Sequence, residues 1–114
     1  MDGKQKAIDL MKKISIELSR AQLEALEKVI QTFLIHTPAK GLESKATAFR
    51  VFRVYEAKIR KKMYSTKQKF KIVLDISEAQ AINEMIRQLC CIAFDPYSET
   101  TLNRVSALID QQTV

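Results

Sequence analysis

Two stretches of the chain alternate apolar and polar residues with a period of two. In "KISIEL", Ile14, Ile16 and Leu18 point one way and Lys13, Ser15 and Glu17 the other. In "KFKIVLDI", Phe70, Ile72, Leu74 and Ile76 share one side, with Lys69, Lys71, Val73 and Asp75 on the opposite side. Successive side chains of a strand face opposite sides of a sheet, so this pattern, rich in β-branched residues, predicts two half-buried strands.

Each alternation gives way to spacings of three and four. Ser19 is placed to cap a helix, Gln22 to close a capping box, and Leu18 to staple onto Leu23. Leu26, Val29, Ile30 and Phe33 then recur at helical intervals, and the helix fades at "HTPAKG", His36 to Gly41. A second helix is expected from Ser44 to near Tyr64. Phe49, Phe52, Ile59 and Met63 form its packed face, and Arg50, Arg53, Arg60 and Lys61 fall in a sector of about 100° beside that face. After the second strand, Ser77 and Gln80 repeat the cap and box, and Ile82, Met85, Ile86 and Leu89 make a stripe. "DPY" breaks this helix at Asp95 and Pro96. Ser98 then caps a last helix, with Tyr97 stapled to Leu102 and with Val105, Leu108 and Ile109 on its buried side. Residues 4–12 carry Ala7, Ile8 and Met11 on one face, which suggests a short leading helix.

The order is strand–helix–helix, twice. "IELSRAQ" at 16–22 returns as "LDISEAQ" at 74–80, with the apolar, acidic, Ser, Ala and Gln positions in step. The expected fold class is α+β: a single domain, 1–114, of two repeats at about 12–64 and 69–112. Their strands form a two-stranded antiparallel ribbon with about four to five helices on one side. Two alternatives stand beside this. The shared joint is common strand-to-helix grammar that can be met twice by chance. Ala7, Met11, Ile14, Leu18, Ala21 and Ala25 also fit one continuous helix through residues 14–18.

Composition adds little to the fold and more to the function. Hydrophobic residues are 46% and charged residues 28%, as in ordinary globular proteins, and only two Gly and two Pro favour helix over long loops. No apolar run approaches the ~18 residues of a membrane span, and the first residues lack the apolar core of a secretory signal. The adjacent Cys90 and Cys91 do not suit an ordinary disulfide framework, and they read as packing thiols in a reducing cytoplasm. One histidine, His36, in a turn beside Pro38, gives no nucleophile–base context. Two glycines do not build a phosphate-cradling loop, and Cys90, Cys91 and His36 lack metal-site grouping. The expectation is a non-enzyme with no cofactor, no metal and no small-molecule substrate.

The net charge of +6 is unevenly distributed. Residues 1–41 hold seven cations and five acids, residues 42–74 ten and two, and residues 75–114 two and six. From Lys58 to Lys71, "KIRKKMYSTKQKFK" has seven Lys and Arg and no acid. Clustered cations release counterions from a phosphate backbone, which gives affinity without sequence preference, and the interleaved Tyr64 and Phe70 can stack on unpaired bases. The candidate phosphate contacts are Arg50, Arg53, Lys58, Arg60, Lys61, Lys62, Lys67, Lys69 and Lys71. The competing account is a solvated helix end with charge contacts to the acidic last third.

A unit that opens "KKISIELS" and runs into a Leu-rich helix resembles the ribbon-helix-helix family of small DNA-binding proteins. The resemblance covers Lys12 to Ile30 and, more loosely, Lys69 to Ile86. It implies paired antiparallel strands whose outward side chains enter the major groove. Carried over by position, these are Lys13, Ser15 and Glu17, then Lys71, Val73 and Asp75. Glu17 and Asp75 depart from the usual Arg, Lys, Asn and Gln readers. The expected partners are DNA or RNA and a second copy of the chain, because two strands and short helices make a thin core. A protein-interaction subunit with no nucleic-acid role is the alternative, with Met63, Tyr64 and "LCCIAF" as its apolar surface.

Overall fold

The computed structural model describes residues 13–36, 42–89 and 94–113. The proposed leading helix, the turn at 37–41 and Cys90 and Cys91 lie outside them. The fold is α+β, a two-stranded antiparallel sheet with four α-helices.

Strand β1 (Lys13–Ser19) pairs with β2 (Lys69–Asp75), with Ile16 opposite Ile72 at the centre, Lys13 opposite Asp75 and Ser19 opposite Lys69. Both strands alternate in burial as the sequence predicts. Ile14, Ile16, Leu18, Phe70, Ile72 and Leu74 enter the core, and the side chains between them stay exposed or half-buried. The helices are α1 (Arg20–His36), α2 (Leu42–Val54), α3 (Ile76–Gln88) and α4 (Pro96–Thr113). Leu23, Leu26, Val29 and Phe33 of α1 and Ile82 and Met85 of α3 join the strands in one apolar cluster. On the ribbon's other face Lys13, Glu17, Lys69, Lys71 and Val73 are exposed and Ser15, Ser19 and Asp75 half-buried. Removing this much apolar surface from water, at ~25 cal/mol per Å², is what holds the helices to the ribbon.

The first helix opens as expected. Gln22 N–H donates to Ser19 Oγ at 3.2 Å, and Ser19 N–H donates to Gln22 Oε1 at 2.9 Å. The second box differs from the expected one. Asp75, not Ser77, caps α3, and Glu78, not Gln80, closes it: Glu78 N–H donates to Asp75 Oδ1 at 2.7 Å and Asp75 N–H to Glu78 Oε1 at 2.9 Å. Charged acceptors make the stronger cap bonds, so the helix begins one residue after Asp75 and takes in Ile76, the last member of the alternation. Asp75→Ala is expected to lower stability by about 1 kcal/mol. The exposed Ser77→Ala should change it by less than ~0.5 kcal/mol, both by urea denaturation. Equal effects would reinstate the serine cap.

Helix α4 begins earlier than expected as well. Asp95 accepts from Ser98 N–H at 3.0 Å and from Ser98 Oγ–H at 2.7 Å, so Asp95 is the cap and Pro96 the first helical residue. Proline suits that position, because its missing N–H would be unpaired there anyway. The "DPY" stretch therefore starts a helix. The two Ser98 bonds, with Lys28 at 3.8 Å, hold the Asp95 carboxyl below the usual carboxylate range.

The largest departure is in α2. Phe49 is 63% and Phe52 46% exposed, while Val51, Val54 and Ile59 are buried. The uniform 100° step fails because the helix does not stay α. It widens into a π-helical turn at Tyr55–Ile59 and tightens into a 3₁₀ turn at Arg60–Tyr64, where Ser65 turns extended. The wide turn shifts the phase, so Ile59 joins Val51 and Val54 in the core instead of Phe49 and Phe52. The Tyr55 hydroxyl donates to Glu27 Oε2 at 3.3 Å and ties this turn to α1.

The ends of the second helices reach the outer edges of the strands. The Gln112 side-chain amide accepts from Ser15 N–H and donates to Ser15 C=O, both at 2.8 Å. On the other side Lys58 Nζ donates to Val73 C=O at 2.8 Å. Helix α4 thus lies along β1 and the π-helical turn along β2.

Candidate nucleic-acid interface

The nine predicted cations fall into three settings. Arg50 and Arg53 are exposed on α2, where the Arg53 guanidinium lies 5.9 Å from the centre of the Phe49 ring. Lys58, Arg60, Lys61 and Lys62 follow in the π-helical and 3₁₀ turns, and Lys67, Lys69 and Lys71 run from the connecting loop into β2.

Two of the nine are occupied within the fold. Lys58 sits 2.5 Å from Glu78 Oε1, the same oxygen that closes the α3 box, while its other bond goes to Val73 C=O. It neutralises the carboxylate and seats the π-helical turn on β2. Arg60 bonds both carboxylate oxygens of Glu56, at 3.0 and 3.1 Å. Its guanidinium is held charged beyond its ordinary pKa, first by the Tyr64 hydroxyl and then by Glu56. Arg50, Arg53, Lys61, Lys62, Lys67, Lys69 and Lys71 make no ion pair among the described residues.

The outward ribbon face carries Lys13, Ser15, Glu17 and Ser19 on β1 and Lys69, Lys71, Val73 and Asp75 on β2. Its charges are ordered. Glu17 stands opposite Lys71, and Lys13 opposite Asp75. The carboxylates that depart from the family pattern therefore each face a lysine across the ribbon. Lys69 and Lys71 gather at the end where β1 runs into α1, together with Lys67.

Arg20, which the sequence reading did not single out, positions this end. Its Nε donates to Lys67 C=O at 3.0 Å, its Nη2 donates to Ser65 C=O, and its backbone N–H donates to Gln68 C=O at 2.9 Å. The guanidinium also lies 5.5 Å from the centre of the Phe70 ring. One side chain thus clamps the loop that presents Lys67 and Lys69. Phe70 is thereby buried beneath Arg20 and is not an exposed stacking platform, whereas Tyr64 is 79% exposed.

A groove of about 490 Å³ opens at this same end, lined by Glu17, Ser19, Gln22, Lys69, Lys71 and Arg104. Arg104 comes from α4, in the acidic last third, and was not among the predicted contacts. A signal for it exists in the sequence: "SKATAFRV" at 44–51 and "SETTLNRV" at 98–105 share Ser, Thr, Arg and Val in step. A smaller groove of about 260 Å³ lies between α2 and the start of α3, lined by Arg50, Arg53, Val54, Asp75, Ser77 and Glu78. Among the described residues no group of three or more His, Cys, Asp and Glu has metal-site geometry, and no helix is long and apolar enough to cross a membrane. Compared with protein-family models, with curated proteins and with solved structures, the chain matches none.

Proposed function

We propose that this protein is a non-catalytic nucleic-acid-binding module built as a single-chain ribbon from two copies of one strand–helix–helix unit. The observation that carries the reading is the open ribbon face. Among the described residues, helices cover one side of the antiparallel strands and leave the other exposed, with Lys69 and Lys71 in no ion pair at one end and Lys61, Lys62 and Lys67 in the segment leading to it. Such a surface can approach a phosphate backbone without refolding, and counterion release supplies the affinity. The ribbon-helix-helix resemblance is consistent with the antiparallel pairing of β1 and β2.

The repeat is supported at a spacing different from that of the first echo. The two capping boxes, Ser19 with Gln22 and Asp75 with Glu78, are 56 positions apart (75 − 19 and 78 − 22), not 58. Leu23, Leu26, Val29 and Phe33 map at the same 56 onto Ala79, Ile82, Met85 and Leu89, and all eight are buried. In the second helices, buried Thr47 and Val51 map at 54 onto buried Thr101 and Val105, which places a two-residue difference between the helices.

The test is a titration of labelled duplex and single-stranded DNA and RNA at several salt concentrations. Binding near micromolar at low salt, with a negative log–log slope, is expected; none would remove the reading. Lys58→Met separates the occupied cation from the open ones. It is expected to lower stability by about 1–2 kcal/mol through loss of a charge-assisted bond, while the salt slope of the folded protein stays unchanged. A slope reduced by about 0.9 would return Lys58 to the phosphate contacts.

A second reading, a protein-interaction subunit or homodimer without a nucleic-acid role, is favoured by one observation. Phe49 and Phe52 are exposed side by side on α2 instead of packed, and exposed aromatics in proximity mark interfaces. A mass that rises with concentration in sedimentation, abolished by Phe49→Ser with Phe52→Ser, would support it.

A further inference from the structure

We infer that the ribbon takes phosphate at one end, in the groove where Arg104 faces Lys69 and Lys71, in preference to the other. The inference rests on the nucleic-acid reading above and adds to it a residue and a place on the ribbon.

The two grooves correspond to each other under the repeat. Ser19 and Gln22 line one, and their counterparts Asp75 and Glu78 line the other. Arg104 lines the first and its counterpart Arg50, 54 positions earlier, lines the second. Equivalent arginines thus face opposite chemistry. Around Arg104 the box residues are neutral, and the charged lining is Lys69, Lys71 and Glu17, three cations to one carboxylate in all. Around Arg50 the box residues are both carboxylates, so Arg50 and Arg53 meet Asp75 and Glu78, the latter already paired with Lys58. An anion entering the first groove meets the larger excess of positive charge and no capping-box carboxylate, whereas one entering the second meets two such carboxylates.

The first turn of α1 does not provide the site. Arg20 N–H is bonded to Gln68 C=O and Gln22 N–H to Ser19 Oγ. The ligand is held by side chains. Arg104 is exposed and makes no ion pair among the described residues, and Lys69 and Lys71 are in the same condition. A guanidinium offers a planar pair of donors to two oxygens of one phosphate, and the lysines add point charge beside it. The acidic last third of the chain thus contributes a cation to the basic end of the ribbon.

The test compares R104Q, R104K and R50Q in the full chain, by fluorescence anisotropy with a mixed-sequence duplex across a salt series. R104Q is expected to weaken binding about eightfold at about 100 mM salt and to reduce the salt slope by about 0.9. R104K should keep the slope, and R50Q should match the unmodified protein. Equal losses in R104Q and R50Q, or an unchanged slope in R104Q, would overturn the one-ended site while leaving nucleic-acid binding in place. Titration with inorganic phosphate, followed by amide chemical shifts, probes the groove without DNA. Shifts at Ser19 and Lys71 that vanish in R104Q support the groove even where no duplex binds, in which case only the nucleic-acid reading fails. No shifts at these residues, together with no duplex binding, would overturn the groove as well.

Discussion

Lys69→Glu combined with Lys71→Glu is expected to lower affinity for a mixed-sequence duplex by roughly 60-fold at about 100 mM salt and to flatten the log–log salt slope by about 1.8. The magnitude follows from two lost phosphate contacts, each worth about 0.9 in the slope, at residues that are exposed and hold no ion pair. The strand makes the experiment clean. Lys69 and Lys71 alternate with buried Phe70 and Ile72, so substitution on the outer face leaves the core side chains in place. One complication has a known sign: Glu at 71 would stand opposite Glu17, and like charges directly opposed in a sheet cost up to about 1 kcal/mol. Lys69→Gln with Lys71→Gln removes that repulsion and should still lose most of the affinity. A double reversal that binds like the unmodified protein would dissociate the ribbon from nucleic-acid binding altogether.

Ile16→Ala should remove about 2–5 kcal/mol from the free energy of unfolding, the ordinary cost of a truncated, fully buried isoleucine and the cavity it leaves. Ile16 is 2% exposed and stands opposite Ile72, also 2%, at the middle of the ribbon, where α1 and α3 meet the strands. Domains of ordinary stability hold only about 5–15 kcal/mol in total, so the variant should unfold at much lower urea with an unchanged denaturant slope. Val73→Ala, on the outer face and 39% exposed, should change stability by about 0.5 kcal/mol or less. A loss below about 1 kcal/mol for Ile16→Ala would mean that the strands are not integral to the core.

What was legible in the sequence was local. The period-two alternation that places Ile14, Ile16 and Leu18 inward operates between neighbours, so both strands could be anticipated from it, whereas their antiparallel pairing was an expectation implied by the family resemblance. The first cap, Ser19 with Gln22, was anticipated in place, and the two later ones in kind only. Ser77 with Gln80 satisfies the same grammar as Asp75 with Glu78, whose charged acceptors make the stronger cap, and Lys58 reaches Glu78 from a different element. The face of α2 was misassigned because a constant angular step does not hold through a π-helical turn. Arg20 and Arg104 escaped notice for another reason. Each acts across the chain, on a loop 45 or more residues away or on a strand from the other half. Arg104 did have a trace in the sequence, the Ser–Thr–Arg–Val echo at 44–51 and 98–105, which lies outside the joint that first drew comparison.

The bidentate amide of Gln112 also governs whether this small sheet can grow. An uncovered strand edge is a template for further strands, from another molecule or from a misfolded copy. By taking both the N–H and the C=O of Ser15, Gln112 stands in for the next strand at the middle of the β1 edge and interrupts the template there. On the β2 side Lys58 occupies Val73 C=O, and Lys69 and Lys71 would bring like charge against like in any second ribbon laid alongside. The two-stranded sheet therefore resists edge-to-edge polymerisation into fibrils while its cation-bearing face stays exposed.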